Sequence, residues 1–176
     1  LLSSSSSDRN SRTNSGSIYV IFGRTLNSSI DLAALSSIQG YRIDGAVAGD
    51  QLGKSIAGAG DVDSDGLDDM IISATSAGFN SRTSSGSVYV VFGEVAPSGV
   101  DLATAGISQA FRIDGSASGD SLGNGVSGAG DINGDGFDDV IVGGAGYNPV
   151  GNSSAGSAFV ILGRSSHANI DTAVFS

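Results

Sequence analysis

The sequence lacks cysteine and tryptophan and has only two prolines, one histidine and one methionine. Without cysteine there are no disulfide bonds, no thiolate metal ligands and no cysteine nucleophile, and the redox compartment stays open. Positive charge is also scarce, because eight lysines and arginines face eighteen acidic residues and the formal net charge is -10. This balance makes nucleic acids and anionic membrane surfaces poor partners and favours cations.

Long hydrophobic runs are missing as well, since no apolar stretch approaches the roughly 18 to 20 residues of a membrane-spanning helix. The first residues have neither the basic nor the apolar region of a signal peptide. They are rich in serine, so residues 1–15 are predicted to form a flexible lead-in outside the fold. The 176 residues, 39% of them hydrophobic, suit one compact unit or a piece of one.

A repeat of about seventy residues organises the chain. The segment Gly-Ser-Ile-Tyr-Val-Ile-Phe-Gly begins at residue 16, and related segments begin at residues 86 and 156. Tyr-Arg-Ile-Asp-Gly at 41–45 returns as Phe-Arg-Ile-Asp-Gly at 111–115 with the same spacing, and an acidic stretch at residue 61 returns at residue 131. Such periodicity indicates a repeat architecture in which each copy is one supersecondary unit.

Each copy contains four short, glycine-bounded segments with the composition of β-strands. The segment 54–60 is almost entirely small residues and suits a strand at a crowded axis. The segment 86–93 is apolar at adjacent positions, which predicts that other sheets cover both of its faces. The segment 111–115 alternates apolar and charged residues, as an outer, half-solvated strand does. We therefore predict an all-β fold, a β-propeller of four-stranded antiparallel blades; a stacked sandwich or a β-solenoid is the alternative.

The repeat predicts about two and a half blades of roughly 70 residues each. Residues 16–45 form a trailing half-blade, 46–115 a full blade, and 116–176 a second, incomplete blade. Propellers close with four to eight blades, so the predicted partners include further blades. We expect these blades to come from a longer chain in preference to other copies of this one.

Two acidic loops carry the chemistry. Counted from residue 61, oxygen-bearing side chains fall at positions 1, 3, 5 and 9, with glycine at position 6 for a sharp turn, and the loop at residue 131 repeats this spacing. The residue at position 7 would add its backbone carbonyl, with its side chain turned into the core. The predicted metal ligands are Asp61, Asp63, Asp65, Leu67 and Asp69 in the first loop, and Asp131, Asn133, Asp135, Phe137 and Asp139 in the second.

Hard oxygen ligands in this number predict two calcium sites, with Ca²⁺ preferred over Mg²⁺. An EF-hand shares part of the spacing, but it needs a bidentate Glu at position 12, where this chain has Ile72 and Val142. An unoccupied acidic turn is the other alternative. Nine of the eighteen acidic residues lie in the two nine-residue windows, and their mutual repulsion argues for a counter-ion. Asp68 and Asp138, at position 8, are expected to point away from the ion and bind nearby backbone.

These motifs resemble the FG-GAP repeats of the integrin α-subunit propeller and its bacterial relatives, whose calcium loop has the form Asp-x-Asp/Asn-x-Asp-Gly-x-x-Asp. Residues 49–53 and 119–123 resemble the Phe-Gly element, with Leu in place of Phe, and residues 73–75 and 143–145 stand where Gly-Ala-Pro would be, without the proline. The resemblance covers roughly residues 16–163. It implies a propeller commonly of seven blades, often extracellular and often adhesive, in which calcium stiffens the blade loops while partners bind elsewhere.

The resulting hypothesis is a calcium-binding interaction module, secreted or on the cell surface, with an unknown protein or glycan ligand. The alternatives are a structural spacer in an extracellular fibre or matrix and the non-catalytic scaffold of a secreted enzyme. Catalysis has little support, because no Gly-x-Ser-x-Gly elbow with triad partners is present and His167 reads as a solvated surface residue. Asn27 and Asn152 lie in Asn-Ser-Ser sequences, a weak glycosylation signal in a serine-rich chain.

Overall fold

The structure is a computed structural model that describes residues 1–25, 29–147 and 155–175. Asn27 and Asn152 lie outside these ranges. The described residues form β-strands and two short 3₁₀ helices, Leu32–Ala34 and Thr172–Phe175. In chain order the strands are β1 (Leu2–Ser4), β2 (Ser17–Ile21), β3 (Gly40–Asp44), β4 (Ile56–Gly60), β5 (Asp69–Ala74), β6 (Ser87–Val91), β7 (Val100–Asp101), β8 (Ala110–Asp114), β9 (Leu122–Gly130), β10 (Asp139–Gly144), β11 (Ser157–Ile161) and β12 (Ile170–Asp171).

The strands form three sheets that follow the repeat. The first blade contains β1, β2 and β3, the second contains β4, β5, β6 and β8, and the third contains β9, β10 and β11, each in spatial as well as chain order. Neighbouring strands within a blade are antiparallel. The two-residue strands β7 and β12 extend in parallel along the outer strand of the preceding blade, on β3 and β8. The fold is therefore all-β and propeller-like, as predicted.

The second blade confirms the predicted order of strand types. The small-residue strand β4 is one edge of the blade, the apolar strands β5 and β6 lie in the middle, and β8 lies beyond them. All five residues of β6 are buried. Tyr89 and Val91 pack in the core shared with the first blade, whereas Val88 and Val90 pack in the core shared with the third. Both faces of this strand are thus covered by other sheets.

The outer strand β8 is less solvated than its alternating sequence predicts. Asp114 is buried, and its carboxylate accepts a hydrogen bond from Ser87 Oγ at 2.6 Å and lies 2.8 Å from Arg112 Nε. Asp44 has the same arrangement in the first blade, with Ser17 and Arg42 as its partners. A buried carboxylate is tolerated when it is paired and hydrogen-bonded, and these contacts meet that condition.

The N-terminal segment differs from the predicted lead-in. Leu2, Ser3 and Ser4 pair with Tyr19, Ile18 and Ser17, so β1 extends the first blade. Backbone pairing is indifferent to the serine side chains, and the seventy-residue spacing places Ser3 where β5 has Ser73. Arg12 also forms an ion pair with Asp101, which ties this segment to the repeat that follows.

Ion pairs between consecutive repeats recur at the outer edge. Arg82 donates to both carboxylate oxygens of Asp171 at 2.9 and 2.8 Å and to the Ser116 carbonyl at 3.1 Å. The pair of Arg12 with Asp101 is its equivalent one repeat earlier. The Arg82 guanidinium holds the pKa of Asp171 below its usual range. The repetition of Ser-Arg-Thr at 11–13 and 81–83 is explained by this contact between blades.

The first and second blades are each sealed by a leucine from the following repeat. Leu52 and Leu122 are fully buried, and their backbone N–H groups donate to Ser15 and Ser85 of the preceding repeat at 2.9 and 3.0 Å. We call residues 49–53 and 119–123, each with the pattern Gly-Asp-x-Leu-Gly, the leucine plugs. These are the segments that resemble the Phe-Gly element, and leucine fills the place of phenylalanine there.

Asp50 in the first leucine plug is expected to make the stability of the protein depend on pH. Burial raises the pKa of its carboxyl to about 6, against the opposing charge of Arg112. Because the folded chain then binds this proton more tightly than the unfolded chain, the free energy of unfolding should fall as pH rises from about 4 to about 6. We expect Asp50→Asn to remove on the order of 2 kcal/mol of that decline, measured by urea unfolding across this range with chelator present. Parallel pH curves for the parent and the variant would show that Asp50 makes no such contribution.

Candidate metal centre

The two acidic loops occupy equivalent hairpins of neighbouring blades. Residues 61–69 connect β4 to β5 in the second blade, and residues 131–139 connect β9 to β10 in the third. Both loops leave the small-residue strand and enter an apolar strand. Because strands flank them on both sides, the EF-hand alternative, which requires flanking helices, does not apply.

The first aspartate of each loop organises the turn. Asp61 accepts hydrogen bonds from the N–H groups of Asp65 at 3.0 Å and Gly66 at 2.9 Å. Asp131 accepts the equivalent bonds from Asp135 and Gly136 at the same distances. Gly66 has a φ of 92° and Gly136 a φ of 89°, in the left-handed region that favours glycine. The predicted sharp turn at position 6 is confirmed in both loops.

In the first loop the turn gathers three of the predicted ligands. The carboxylates of Asp61, Asp63 and Asp65 offer oxygen atoms that all lie within 4.8 Å of one another. Burial raises the pKa of Asp63, and the neighbouring charge of Asp65 raises it further. Three carboxylates this close together could hold a metal ion, whose positive charge would relieve their mutual repulsion.

The second loop has the same shape but one less charge. Asn133 replaces the middle aspartate; its side chain accepts from the Asp135 N–H at 3.0 Å and donates to the Asp135 carboxylate at 2.9 Å. Backbone N–H groups, foremost that of Gly136, lower the pKa of Asp131. The first loop is therefore the more strongly charged of the two. Its middle carboxylate is also a stronger cation ligand than the amide oxygen of Asn133.

Asp69 and Asp139, at position 9, bind both their own loop and the residues that follow β6 and β11. Asp69 accepts from the N–H groups of Val62 and Gly93, both at 2.8 Å, and it is almost fully buried. Asp139 accepts from Ile132 at 3.0 Å and from Gly163 at 2.8 Å. Burial raises the pKa of Asp69 to about 6. Each carboxylate oxygen keeps a second lone pair, so these bonds leave both residues able to bind a cation.

Leu67 and Phe137, the predicted carbonyl donors, lie between the ligand cluster and the end of β6 or β11. Each backbone N–H donates to the aspartate two residues earlier, at 2.8 Å for Leu67 and 3.1 Å for Phe137. Both side chains are half-buried, so they are less enclosed than the predicted core position. The Cβ of Leu67 lies against Gly93, just after the end of β6.

Asp138 joins the two loops to each other. Its carboxylate accepts from the Asp61 N–H at 3.0 Å, and its own N–H donates to the Asp61 carbonyl at 2.9 Å. Arg164 adds a third bond from its N–H to the Val62 carbonyl at 3.0 Å. The predicted backbone-binding role of position 8 is thus confirmed for Asp138, whereas Asp68 is exposed. These three hydrogen bonds connect the first loop to the third blade.

The surroundings of His167 differ from those predicted from the sequence. Its side chain is only 15% exposed and its ring lies 4.2 Å from that of Phe92 and parallel to that of Phe111, so the expected solvated position is wrong. Its Nε2 atom is buried without a hydrogen-bond partner among the described residues and lies 3.9 Å from the Asp63 carboxylate. No local sequence signal marks this position, because the aromatic neighbours belong to the preceding blade.

Repeated blades with paired acidic hairpins define a propeller-like β-repeat protein with a candidate cation centre. The family model for the FG-GAP repeat matches residues 53–91 and 122–161. These stretches contain β4 to β6 and β9 to β11 with both acidic loops, so the chain carries two FG-GAP repeats, in agreement with its resemblance to integrin-α-like repeat proteins. No curated protein matches the chain.

Proposed function

We propose that the chain is a calcium-binding module in which Ca²⁺ rigidifies the loops between FG-GAP blades. The carboxylate cluster of Asp61, Asp63 and Asp65 carries this proposal. Together with the Leu67 carbonyl and Asp69, these residues provide the oxygen ligands of one site. The second site uses the equivalent set of Asp131, Asn133, Asp135, Phe137 and Asp139. Calcium is favoured over magnesium because it accepts six to eight oxygens in flexible geometry, whereas Mg²⁺ requires a near-ideal octahedron.

The consequence of binding is mechanical. A cation at the first loop neutralises the charges that oppose the turn and fixes Asp61, whose backbone is bonded to Asp138 of the second loop. The two inner strands β4 and β9 enter these loops, so the ions would stabilise the packing of neighbouring blades. The module is proposed to be non-catalytic.

Calcium dependence of stability tests the proposal. With calcium at about 100 times Kd, each occupied site should raise the free energy of unfolding by about 2.7 kcal/mol over the value in chelator, and magnesium should do less. Asp65→Ala should cost little in chelator and considerably more in calcium. Asp68→Ala, which removes the same charge from an exposed position of the same loop, is the matched control and should keep the calcium effect. Scanning calorimetry that finds identical unfolding in calcium and chelator would contradict the metal sites.

We further propose that the module is secreted or exposed at the cell surface and serves in adhesion. Extracellular calcium is abundant enough to fill weak sites, since extracellular modules bind it with Kd values of about 10⁻⁴ to 10⁻³ M. Within the part of the chain that the structure describes, no helix has the length and apolar character that a membrane crossing needs. A spacer or scaffold role would share the calcium dependence. Binding of the purified chain to extracellular proteins or glycans, present in calcium and lost in chelator, would distinguish adhesion from those roles.

A further inference from the structure

A cavity of about 480 Å³ lies at the outer edge of the first blade, between β3 and the segment that leads into β7. We call it the outer pocket; its lining includes Tyr19, Leu32, Leu35, Tyr41, Arg42 and Gly99. Its volume falls within the range of small-ligand sites, about 300 to 1,000 Å³. None of the residues of the two acidic loops lines it, so it is separate from the candidate metal centre.

The second blade has a smaller cavity at the equivalent place. It measures about 140 Å³, and its lining includes Tyr89, Leu102 and Arg112, which are repeat equivalents of lining residues of the outer pocket. The first blade packs beside the second, yet none of the residues of β1, β2 or β3 lines this smaller cavity. A neighbouring blade therefore leaves a cavity of this kind unfilled, and the difference in size comes from the lining itself.

Asn169 occupies part of the smaller cavity. Its side-chain oxygen Oδ1 accepts a hydrogen bond from the Arg112 backbone N–H at 2.8 Å. The repeat equivalents of these two residues are Gly99 and Arg42. Gly99 lies beside Arg42, since a Cβ on it would be 3.8 Å from the Arg42 N atom, but it has no side-chain oxygen. The Arg42 N–H therefore lacks the acceptor that Asn169 supplies in the second blade.

The charged residues of the lining are already paired. Arg42 donates to both carboxylate oxygens of Asp44, at 2.7 and 2.9 Å. Asp101 accepts hydrogen bonds from the side chains of Arg12 and Asn10. Because no charge of the lining is left without an opposite charge, the outer pocket suits an uncharged ligand better than a carboxylate or a cation.

The remaining lining combines carbon surface with polar groups. The leucines Leu32 and Leu35 lie on one side of the pocket, and two tyrosine rings contribute elsewhere. Tyr19 is only 6% exposed, and its hydroxyl accepts a hydrogen bond from the Arg9 guanidinium at 3.2 Å, which holds the ring in place. Apolar and aromatic surface with a few fixed polar groups is typical of small-ligand sites. It also suits a sugar, which presents both C–H and O–H groups.

We propose that the outer pocket binds an N-acetylated amino sugar. The acetamido oxygen of the sugar accepts the hydrogen bond from the Arg42 N–H, and the methyl group lies against the leucines of the lining. The side chain of Asn169 shows which group fits, because an asparagine side chain is itself an acetamide attached to the backbone. The inference rests on the proposed adhesive role and names a ligand class for it.

NMR titration of the ¹⁵N-labelled full chain with N-acetylglucosamine in calcium tests the proposal. We expect shifts of the Arg42 and Gly99 amide signals at millimolar sugar. Glucose, which has a hydroxyl group in place of the acetamido group, should bind at least about tenfold more weakly, because it loses both the acceptor for the Arg42 N–H and the methyl contact. The tripeptide Gly-Asn-Gly, which offers the same amide group without a sugar ring, should also bind more weakly.

Two variants at equivalent positions provide the matched controls. Ser98 lies at the exposed rim of the outer pocket, and Ser98→Trp should cover the pocket and abolish the sugar-induced shifts. Ala168, also exposed, is its equivalent in the second blade, and Ala168→Trp should leave the shifts intact. Both variants should keep the melting temperature of the parent chain, because both positions are on the surface.

Absence of shifts in the parent chain would overturn the proposal, as would shifts that persist in Ser98→Trp or an equal loss in both variants. Binding of the tripeptide as tightly as the sugar would assign the pocket to a protein side chain and would also overturn it. Binding of another extracellular protein or glycan that leaves the Arg42 signal unmoved would retain the adhesive role and overturn this site alone.

Discussion

Gly86→Ala is expected to lower the free energy of unfolding by about 3 to 5 kcal/mol, whereas Gly156→Ala should lower it by only about 1 to 2 kcal/mol. Both glycines have positive φ angles, 80° and 72°, so both variants incur the cost of a left-handed alanine. Only at Gly86 does the added Cβ meet the Leu122 backbone, at 2.3 Å. The difference between the two variants therefore isolates the contact between plug and blade.

Urea unfolding of both variants at one pH, with chelator present, measures this difference without a contribution from bound metal. The denaturant slope should remain that of the parent chain, since neither change alters the surface exposed on unfolding. Equal losses at the two glycines would mean that the leucine plug is displaced easily by the added Cβ. A much larger loss at Gly156 would contradict the open geometry there.

The blade order could be predicted from sequence because each strand type has a distinct composition that recurs. The small side chains of the segment 54–60 suit a closely packed strand, and the adjacent apolar residues of the segment 86–93 predict a strand that is covered on both faces. The acidic loop that follows residue 60 could be predicted equally well. Its ligand spacing is local, so the convergence of Asp61, Asp63 and Asp65 follows from the turn geometry alone.

Predictions from composition were wrong where contacts between distant residues determine the structure. The serines of β1 have no intrinsic preference for a strand, and only the alignment of Ser3 with Ser73 at the repeat spacing gives a signal for it. His167 and Asp138 act across blades, and their partners Phe92 and Asp61 belong to the preceding repeat. Contacts of this kind depend on the packing of blades, which a local motif does not encode.

Asp69→Ala is expected to destabilise the protein by about 2 to 4 kcal/mol even in chelator, because it leaves the buried N–H group of Val62 and the partly buried N–H group of Gly93 without acceptors. The burial that raises the pKa of Asp69 to about 6 works in the opposite direction. Removing the carboxylate at neutral pH relieves the cost of holding a charge there, so the loss should be smaller than two independent unsatisfied donors would give. In chelator, Asp69→Ala is therefore expected to lower the free energy of unfolding much more than Asp65→Ala does.

Calcium separates the two roles of this carboxylate. If Asp69 is also a ligand, its replacement should abolish the stabilisation by calcium at the first loop in addition to the loss seen in chelator. Asp139→Ala is the matched variant, because Asp139 has the same two backbone bonds in the second loop. Calorimetry of both variants in calcium and chelator measures the two components. A large loss of stability in chelator with the calcium effect intact would show that position 9 holds the loop in place but does not bind the ion. The ion would then be held by positions 1, 3, 5 and 7.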